Sequence, residues 1–277
     1  MTYRGISTEV VKLTGYKGDD IEAYISKPDG EGPFPGICII HHMPGWDEWT
    51  LELCWKFANR GFAVIAPHLY SRFGPGDPDD VAARARGFNG MSDDQVVGDV
   101  DASSRWLRSQ SYSNGKVGVI GFCSGGRQTF LVACRIPEAI DAAVDCWGGG
   151  VIQDESKLNE QQPVSPITLA ENLRSPLLGI FGNEDENPTP AEVDQTEAEL
   201  KRLGKTYEFY RYDGAGHAFW STDRYRYRPE QAVDSFNKTC AFFARHLQST
   251  ARATGPSKFI GPAPKVTLTG NVPLRSS

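Results

Sequence analysis

Six residues, 121–126, constrain the fold of this chain more than any other stretch. They read GFCSGG, and the residues before them (116–120) are apolar and β-rich, as in a buried parallel strand. The residues after them (127–134) contain no helix breaker. This order predicts a strand, a sharp turn and a helix. Gly121 and Gly125 leave room for a strained turn that side chains would block.

The predicted turn gives Cys123 a defined chemical setting. It lifts the thiol above the sheet and places it at a helix N-terminus, where unpaired N–H groups and the helix dipole favour thiolate over thiol. Cys123 is therefore the candidate nucleophile. The alternative interpretation is a buried cysteine beside a glycine-rich turn.

Two later loops supply candidates for an acid and a histidine, in the order that a nucleophile–acid–histidine triad requires. The first loop follows the buried-strand run 177–181 and offers a carboxylate that could orient a histidine. Three acidic residues compete for this role: Glu184, Asp185 and Glu186. The second loop follows the strand-like run 207–212 and carries His217, one of only five histidines in the chain. We predict His217 as the general base.

Three motifs together resemble the dienelactone hydrolases. They are GFCSGG at 121–126, GAGHAF at 214–219 and SYSNGKVG at 111–118. Members of this family are carboxymethylenebutenolidases, which open an enol-lactone ring. The resemblance covers roughly residues 7–248. It implies an α/β-hydrolase fold, a mostly parallel, doubly wound sheet with helices on both faces.

The resemblance also implies the roles of individual residues. Cys123 corresponds to the nucleophile and His217 to the base. Asp185 corresponds to the orienting acid, because it lies three residues past Gly182, as in the family's Gly-x-x-Asp pattern. The oxyanion is expected to be held by the backbone N–H groups of Ser124 and Met43.

One departure from the family lies in the loop after the third strand. The family usually has a glutamate there, which interacts with the resting thiol and takes part in its activation. Alignment on Gly45 places His42 at that position. Its imidazole could hydrogen-bond Cys123, act as a second base or contact the substrate. In the alternative interpretation His41 and His42 satisfy loop backbone groups, and for His41 we favour it.

A second departure concerns the arginines that hold the substrate carboxylate in the family's prototypes. After His217 the next arginines are Arg224, Arg226 and Arg228. Two others precede the helix that leads to the turn and could reach the pocket mouth: Arg84 and Arg86. No pair of arginines matches the family pattern. The sequence therefore predicts opening of a lactone ring but does not identify dienelactone as the substrate. Aromatic residues beside the motif loops predict an apolar pocket: Trp46, Trp147, Phe219 and Trp220.

The remaining pattern predicts one catalytic domain over residues 1–248, followed by an extended tail. Strand-like and helical runs alternate from an opening hairpin (9–25) to a last helix at 229–247. Residues 71–92 could form a lid, and residues 151–175 cross the pocket side. The tail, 249–277, holds four prolines and is expected to be disordered or to wrap a second subunit in a homodimer.

Composition excludes several functional classes. The net charge is −6, from 29 basic and 35 acidic residues, and no basic stripe indicates nucleic acid. No signal sequence or membrane span is predicted, and six scattered cysteines without CxxC spacing fit free thiols in a reducing cytoplasm. No metal site or cofactor is expected, because no HExxH motif is present and adjacent histidines cannot easily aim at one ion.

The sequence therefore predicts hydrolysis of a small lactone or ester through a cysteine acyl-enzyme. A general carboxylesterase or thioesterase is the nearest alternative. Two alternatives from other classes are a non-catalytic binder of a small ligand and a protein with a redox-active Cys123 thiol. No resolving cysteine lies beside Cys123 in the sequence, though Cys146 could be close to it in the fold.

Overall fold

A computed structural model describes residues 5–222 and 225–248. Eight strands form one sheet in the order β1-β2-β4-β3-β5-β6-β7-β8. Their bounds are β1 Ile6–Thr14, β2 Asp20–Pro28, β3 Phe34–Ile40, β4 Ala63–Pro67, β5 Ser113–Phe122, β6 Ala142–Cys146, β7 Leu177–Gly182 and β8 Tyr207–Tyr212. The predicted tail at 249–277 lies outside the described residues, as does Arg224.

Six α-helices accompany the sheet. They are α1 Glu48–Ala58, α2 Pro78–Gly87, α3 Asp93–Ser109, α4 Ser124–Arg135, α5 Pro190–Arg202 and α6 Pro229–Leu247. Short 3-10 segments lie at Tyr16–Gly18, Ser71–Phe73, Glu155–Lys157 and Pro166–Asn172. No helix in the described ranges has the length and apolar character needed to cross a membrane.

The sheet is antiparallel at one edge and parallel through its body. β1 and β2 form the predicted hairpin, and β2 pairs antiparallel with β4. All pairings from β4 to β8 are parallel. Every residue of the central strands β3, β6 and β7 is buried, which explains their nearly continuous apolar sequence. The predicted doubly wound sheet is confirmed.

Helices cover both faces of this sheet and close two apolar cores. On one face α3 and α4 pack against the strands through residues such as Val96, Val100 and Phe130. On the other face α1 and α6 contribute residues such as Phe57 and Phe243. Because the strands run parallel, their carboxyl ends all meet at one edge, and the loops there lie close together.

Two segments contain structure that the sequence pattern did not predict. Residues 71–92, considered above as a lid, contain a 3-10 turn and the helix α2. The helix α5 was not predicted, because it buries only Val193, Thr196 and Leu200 and so has little apolar periodicity. Its start is fixed instead by a capping box between Thr189 and Glu192.

Candidate active site

The turn between β5 and α4 holds Cys123 in a strained conformation. Its φ of 56° and ψ of −120° lie in a region that side chains rarely adopt, and it is the N-cap of α4. The glycines on either side make this turn possible. A Cβ on Gly121 would lie 1.9 Å from the carbonyl oxygen of Gly125, and one on Gly125 would lie 2.4 Å from that of Ile40. The turn predicted from GFCSGG is therefore present.

The backbone N–H groups of Ser124 and Met43 were predicted to hold an oxyanion. Ser124 is the first residue of α4, so its N–H has no partner within the helix. Met43 lies in the loop after β3, which the start of α4 contacts. Within the ranges 5–222 and 225–248, neither N–H donates a hydrogen bond to the protein. Both are thus available, as an oxyanion site requires.

His217 and Asp185 meet across the loops that follow β8 and β7. The imidazole Nδ1 lies 2.9 Å from Asp185 Oδ2 and 3.2 Å from Oδ1. Asp185 is buried, and its Oδ1 also accepts a hydrogen bond from the Asn187 N–H at 2.8 Å. Burial by itself lowers the pKa of His217, but interactions with Asp185 and Cys123 outweigh it and raise that pKa to about 9.

Cys123, Asp185 and His217 line one cavity of about 570 Å³ at the carboxyl edge of the sheet. Loops after β3, β5, β7 and β8 all contribute to it. The other lining residues are His42, Met43, Pro44, Glu184, Glu186, Asn187, Gly216, Ala218, Ser221, Tyr225, Arg226 and Arg228.

His42 lines this cavity and is held by a partner five residues away. Its Nε2 lies 2.7 Å from Oδ2 of Asp47. The other carboxylate oxygen of Asp47 accepts the N–H of Thr50 at 3.0 Å and so caps α1. The His42 ring also packs on Trp49, with ring centroids 4.7 Å apart.

His41 points away from the cavity into the protein. Its Nδ1 donates to the His42 carbonyl at 2.9 Å, and its ring meets Tyr70 edge-on. Burial lowers the pKa of His41 to about 3, so the imidazole is neutral. Tyr70 in turn donates its hydroxyl to the Met43 carbonyl at 3.0 Å, which fixes the loop that carries the Met43 N–H.

The aromatic residues predicted to line the pocket lie elsewhere. Trp147, Phe219 and Trp220 are buried in the apolar core beneath the cavity, where they pack on one another and on Phe122. Trp46 stacks on His68 and donates its indole N–H to a backbone carbonyl. Large aromatic surfaces contribute most to stability when buried, and this competes with exposure to a ligand.

Neither predicted arginine before α3 lines the cavity. Arg84 donates to the backbone carbonyls of residues 73–75 and so closes the turn before α2. Arg86 influences the pKa of Tyr70 without making a hydrogen bond among the described residues. The cavity's described cations are instead Arg226 and Arg228, which precede α6.

Comparison with known proteins identifies the family of this chain. A profile of the dienelactone hydrolase family matches residues 21–247. The chain belongs to the dienelactone hydrolase family. A protein of Methylorubrum extorquens, named provisionally as a carboxymethylenebutenolidase, is 32% identical over 234 residues, which cover 82% of this chain and 77% of that protein. The carboxymethylenebutenolidase of Pseudomonas putida is 29% identical over 243 residues, covering 86% and 96% of the two chains.

A solved structure supports the same assignment. A Klebsiella pneumoniae protein, named provisionally as a dienelactone hydrolase, is 28% identical with a TM-score of 0.79, and the match covers 87% of this chain and 99% of that one. The chain described in this structure therefore has the α/β-hydrolase fold, and it is a hydrolase of the carboxylic-ester class.

Asp47, the partner of His42, was not among the residues that the sequence predicted. Its role depends on a contact with His42 that no motif records. One signal was available, since an aspartate three residues before a threonine at a helix start predicts an N-cap.

Among the described residues no group of three or more potential metal-ligating side chains is placed to bind one ion.

Proposed function

We propose that this enzyme hydrolyses a lactone or an ester through Cys123 as nucleophile and a covalent acyl-enzyme. One arrangement carries the proposal: Cys123, at the N-terminus of α4, lines the same cavity as His217, whose imidazole is held by the buried Asp185. The raised pKa of His217 matches an imidazolium that faces a thiolate.

The reaction then proceeds in two half-reactions. The thiolate attacks the carbonyl carbon, and the oxyanion accepts hydrogen bonds from the N–H groups of Ser124 and Met43, each worth about 3 kcal/mol in sites of this kind. The carbon–oxygen bond breaks, and His217 gives its proton to the leaving oxygen. Water hydrolyses the thioester and regenerates Cys123.

The cavity favours a substrate with an anionic or polar substituent at one end. Arg228 is occupied by the backbone carbonyls of residues 214, 225 and 227. Arg226 makes one side-chain hydrogen bond within the described residues, to the Tyr225 hydroxyl, so its remaining N–H groups can reach a ligand. Together with the carboxymethylenebutenolidase relative from P. putida, this favours a lactone over a simple ester.

Dihydrocoumarin, an aryl lactone, and p-nitrophenyl acetate test the proposal together. We expect turnover of the lactone, with a transient adduct on Cys123 in the intact mass of the chain. Cys123→Ala and Cys123→Ser should each reduce kcat by at least about 10³-fold.

Cys134→Ala is the matched control, because that thiol is buried and burial raises its pKa to about 12. Full activity of Cys123→Ala would refute the mechanism. Acetate hydrolysis without lactone turnover would leave the nucleophile in place and identify a general esterase. If the wild-type protein showed no turnover and formed no adduct, the result would indicate a binding or redox protein.

A further inference from the structure

His42, which lines the cavity, belongs to a second imidazole–carboxylate pair with Asp47, in addition to the pair of His217 with Asp185. The Nε2–Oδ2 distance is 2.7 Å in the second pair, and the Nδ1–Oδ2 distance is 2.9 Å in the first. His42 is buried except where it meets the cavity. The mechanism described so far leaves this pair without a role.

Strand register puts His42 beside the nucleophile. β3 and β5 are parallel neighbours, and the last residues paired between them are Ile40 and Gly121. His42 and Cys123 each lie two residues beyond that rung. Adjacent strands are about 4.8 Å apart, and close contact continues past the ladder, because a Cβ on Gly125 would meet the carbonyls of Ile40 and His41. His42 and Cys123 thus leave the sheet side by side.

The contact with Asp47 determines which nitrogen of His42 is basic. A carboxylate only accepts hydrogen bonds, so in the neutral imidazole Nε2 carries the proton and Nδ1 has the free lone pair. Burial raises the pKa of Asp47, but its hydrogen bonds to His42 and Thr50 outweigh burial and hold that pKa below its ordinary value. Nδ1 has no hydrogen-bond partner among the described residues and is not one of the fully buried polar atoms.

A lactone creates a need for such a base. When an open-chain ester acylates a cysteine, the alcohol diffuses away, and water can take its place beside the histidine that protonated it. The leaving oxygen of a lactone stays attached to the acyl group, remains beside His217 and can attack the thioester to close the ring again. Water must then reach the thioester carbon from another side.

We propose that His42, oriented by Asp47, is the base that activates a water molecule for attack on the acyl-enzyme formed from a lactone. This proposal rests on the proposed function. The water oxygen bonds to the acyl carbon while its proton passes to His42 Nδ1. The carbon–sulfur bond breaks, and Cys123 leaves as thiolate. The new carboxylic acid returns a proton to His217, and His42 releases its own to solvent. His42 is a catalytic residue in this scheme, and Asp47 is a positioning residue.

A matched pair of substrates tests the proposal. Dihydrocoumarin retains its phenol after acylation, whereas phenyl 3-phenylpropanoate forms a similar acyl group and loses phenol. In His42→Gln we expect kcat for the lactone to fall at least tenfold more than kcat for the ester. The ring-opened adduct on Cys123 should accumulate in the intact mass of the chain.

Asp47→Asn separates catalysis from folding. An asparagine still caps α1, but its NH₂ group would donate to Nε2 of His42 and move the imidazole proton to Nδ1. We expect the same selective loss for the lactone, with an unchanged melting temperature. Added imidazole should restore part of the lactone turnover of His42→Ala, which a structural role would not allow.

Three results would overturn this role of His42. Equal losses for lactone and ester would mean that His42 acts before or during acylation, and no loss would mean that it is not a base. Selective loss without accumulation of the adduct would place its effect in substrate binding. Failure of the proposed function is distinguishable, because the wild-type protein would then form no adduct on Cys123 with either substrate.

Discussion

Two histidine–aspartate pairs, each with its histidine on the wall of the cavity, are assembled by the chain in different ways. His217 and Asp185 are 32 residues apart and meet only because β7 and β8 are parallel neighbours whose loops emerge at the same edge. His42 and Asp47 are five residues apart in a single loop, and Asp47 is also the cap of α1. The first pair joins two loops that the topology of the sheet brings together, whereas the second forms within one loop.

The two sides also differ in how their histidines respond to burial. On one side His217 is raised to a pKa of about 9 by Asp185 and Cys123, despite burial. On the other side the neighbour of His42, His41, makes no hydrogen bond to a carboxylate in the part of the chain that the structure describes, and burial lowers its pKa to about 3. A charged partner thus decides whether a buried imidazole near this site keeps its proton.

Replacement of Asp185, the carboxylate beside His217, should have the largest effect on activity. Asp185→Asn should reduce kcat for phenyl 3-phenylpropanoate by about 10³- to 10⁴-fold, the range for loss of a triad acid, because His217 would lose both its orientation and its charge partner. The adjacent Glu184→Gln and Glu186→Gln are the controls, since both side chains are exposed. A loss in either control within tenfold of that in Asp185→Asn would contradict the assignment of the acid.

Substitution of Gly121, in the turn that carries Cys123, should have the next largest effect, on stability. Gly121→Ala would place a Cβ 1.9 Å from the Gly125 carbonyl oxygen, so we expect a loss of about 3 kcal/mol or more in the free energy of unfolding, measured with urea. Gly87→Ala is the matched control, because a Cβ there meets nothing within 4 Å and should change stability by less than about 1 kcal/mol. Similar stabilities for the two variants would show that the turn relaxes easily.

The pH dependence of stability should have opposite signs on the two sides. His217 binds its proton more tightly in the folded state, so its stabilising contribution is complete below pH 6.5 and is lost as pH rises through about 9. His41 binds its proton more tightly in the unfolded state, so stability falls as pH drops from 6.5 towards 3. Melting temperatures from pH 4 to 10 check both signs.

Variants assign these slopes to residues. His217→Gln should flatten the change between pH 6.5 and 9, and His41→Gln should flatten the change below 6.5. If His217→Gln left the alkaline slope unaltered, that slope would belong to another group, and the imidazolium–thiolate pair proposed for Cys123 would lose its support.

Sequence alone was enough for the parts of the molecule that depend on local pattern. The strand, turn and helix around Cys123 follow from apolar periodicity and from glycines that no other residue could replace without a clash. The family and the fold were likewise recognisable from three short motifs, and the profile match over residues 21–247 confirms them. Among the acids after β7, Asp185 could be selected only through that resemblance, because Glu184 and Glu186 have the same chemistry.

Tertiary structure decided where side chains point. Trp147, Phe219 and Trp220 belong to motif loops, yet they lie in the core, because burial of large aromatic surface outweighs proximity in sequence. The helix α5 has too few buried apolar residues to show in the sequence pattern.

The contact of His42 with Asp47 depended on tertiary structure in the same way. It requires the loop after β3 to fold back onto the start of α1, a choice made by packing against Trp49 and the backbone of α4. The sequence therefore determined where the proposed nucleophile lies, and the three-dimensional packing determined which side chains surround it.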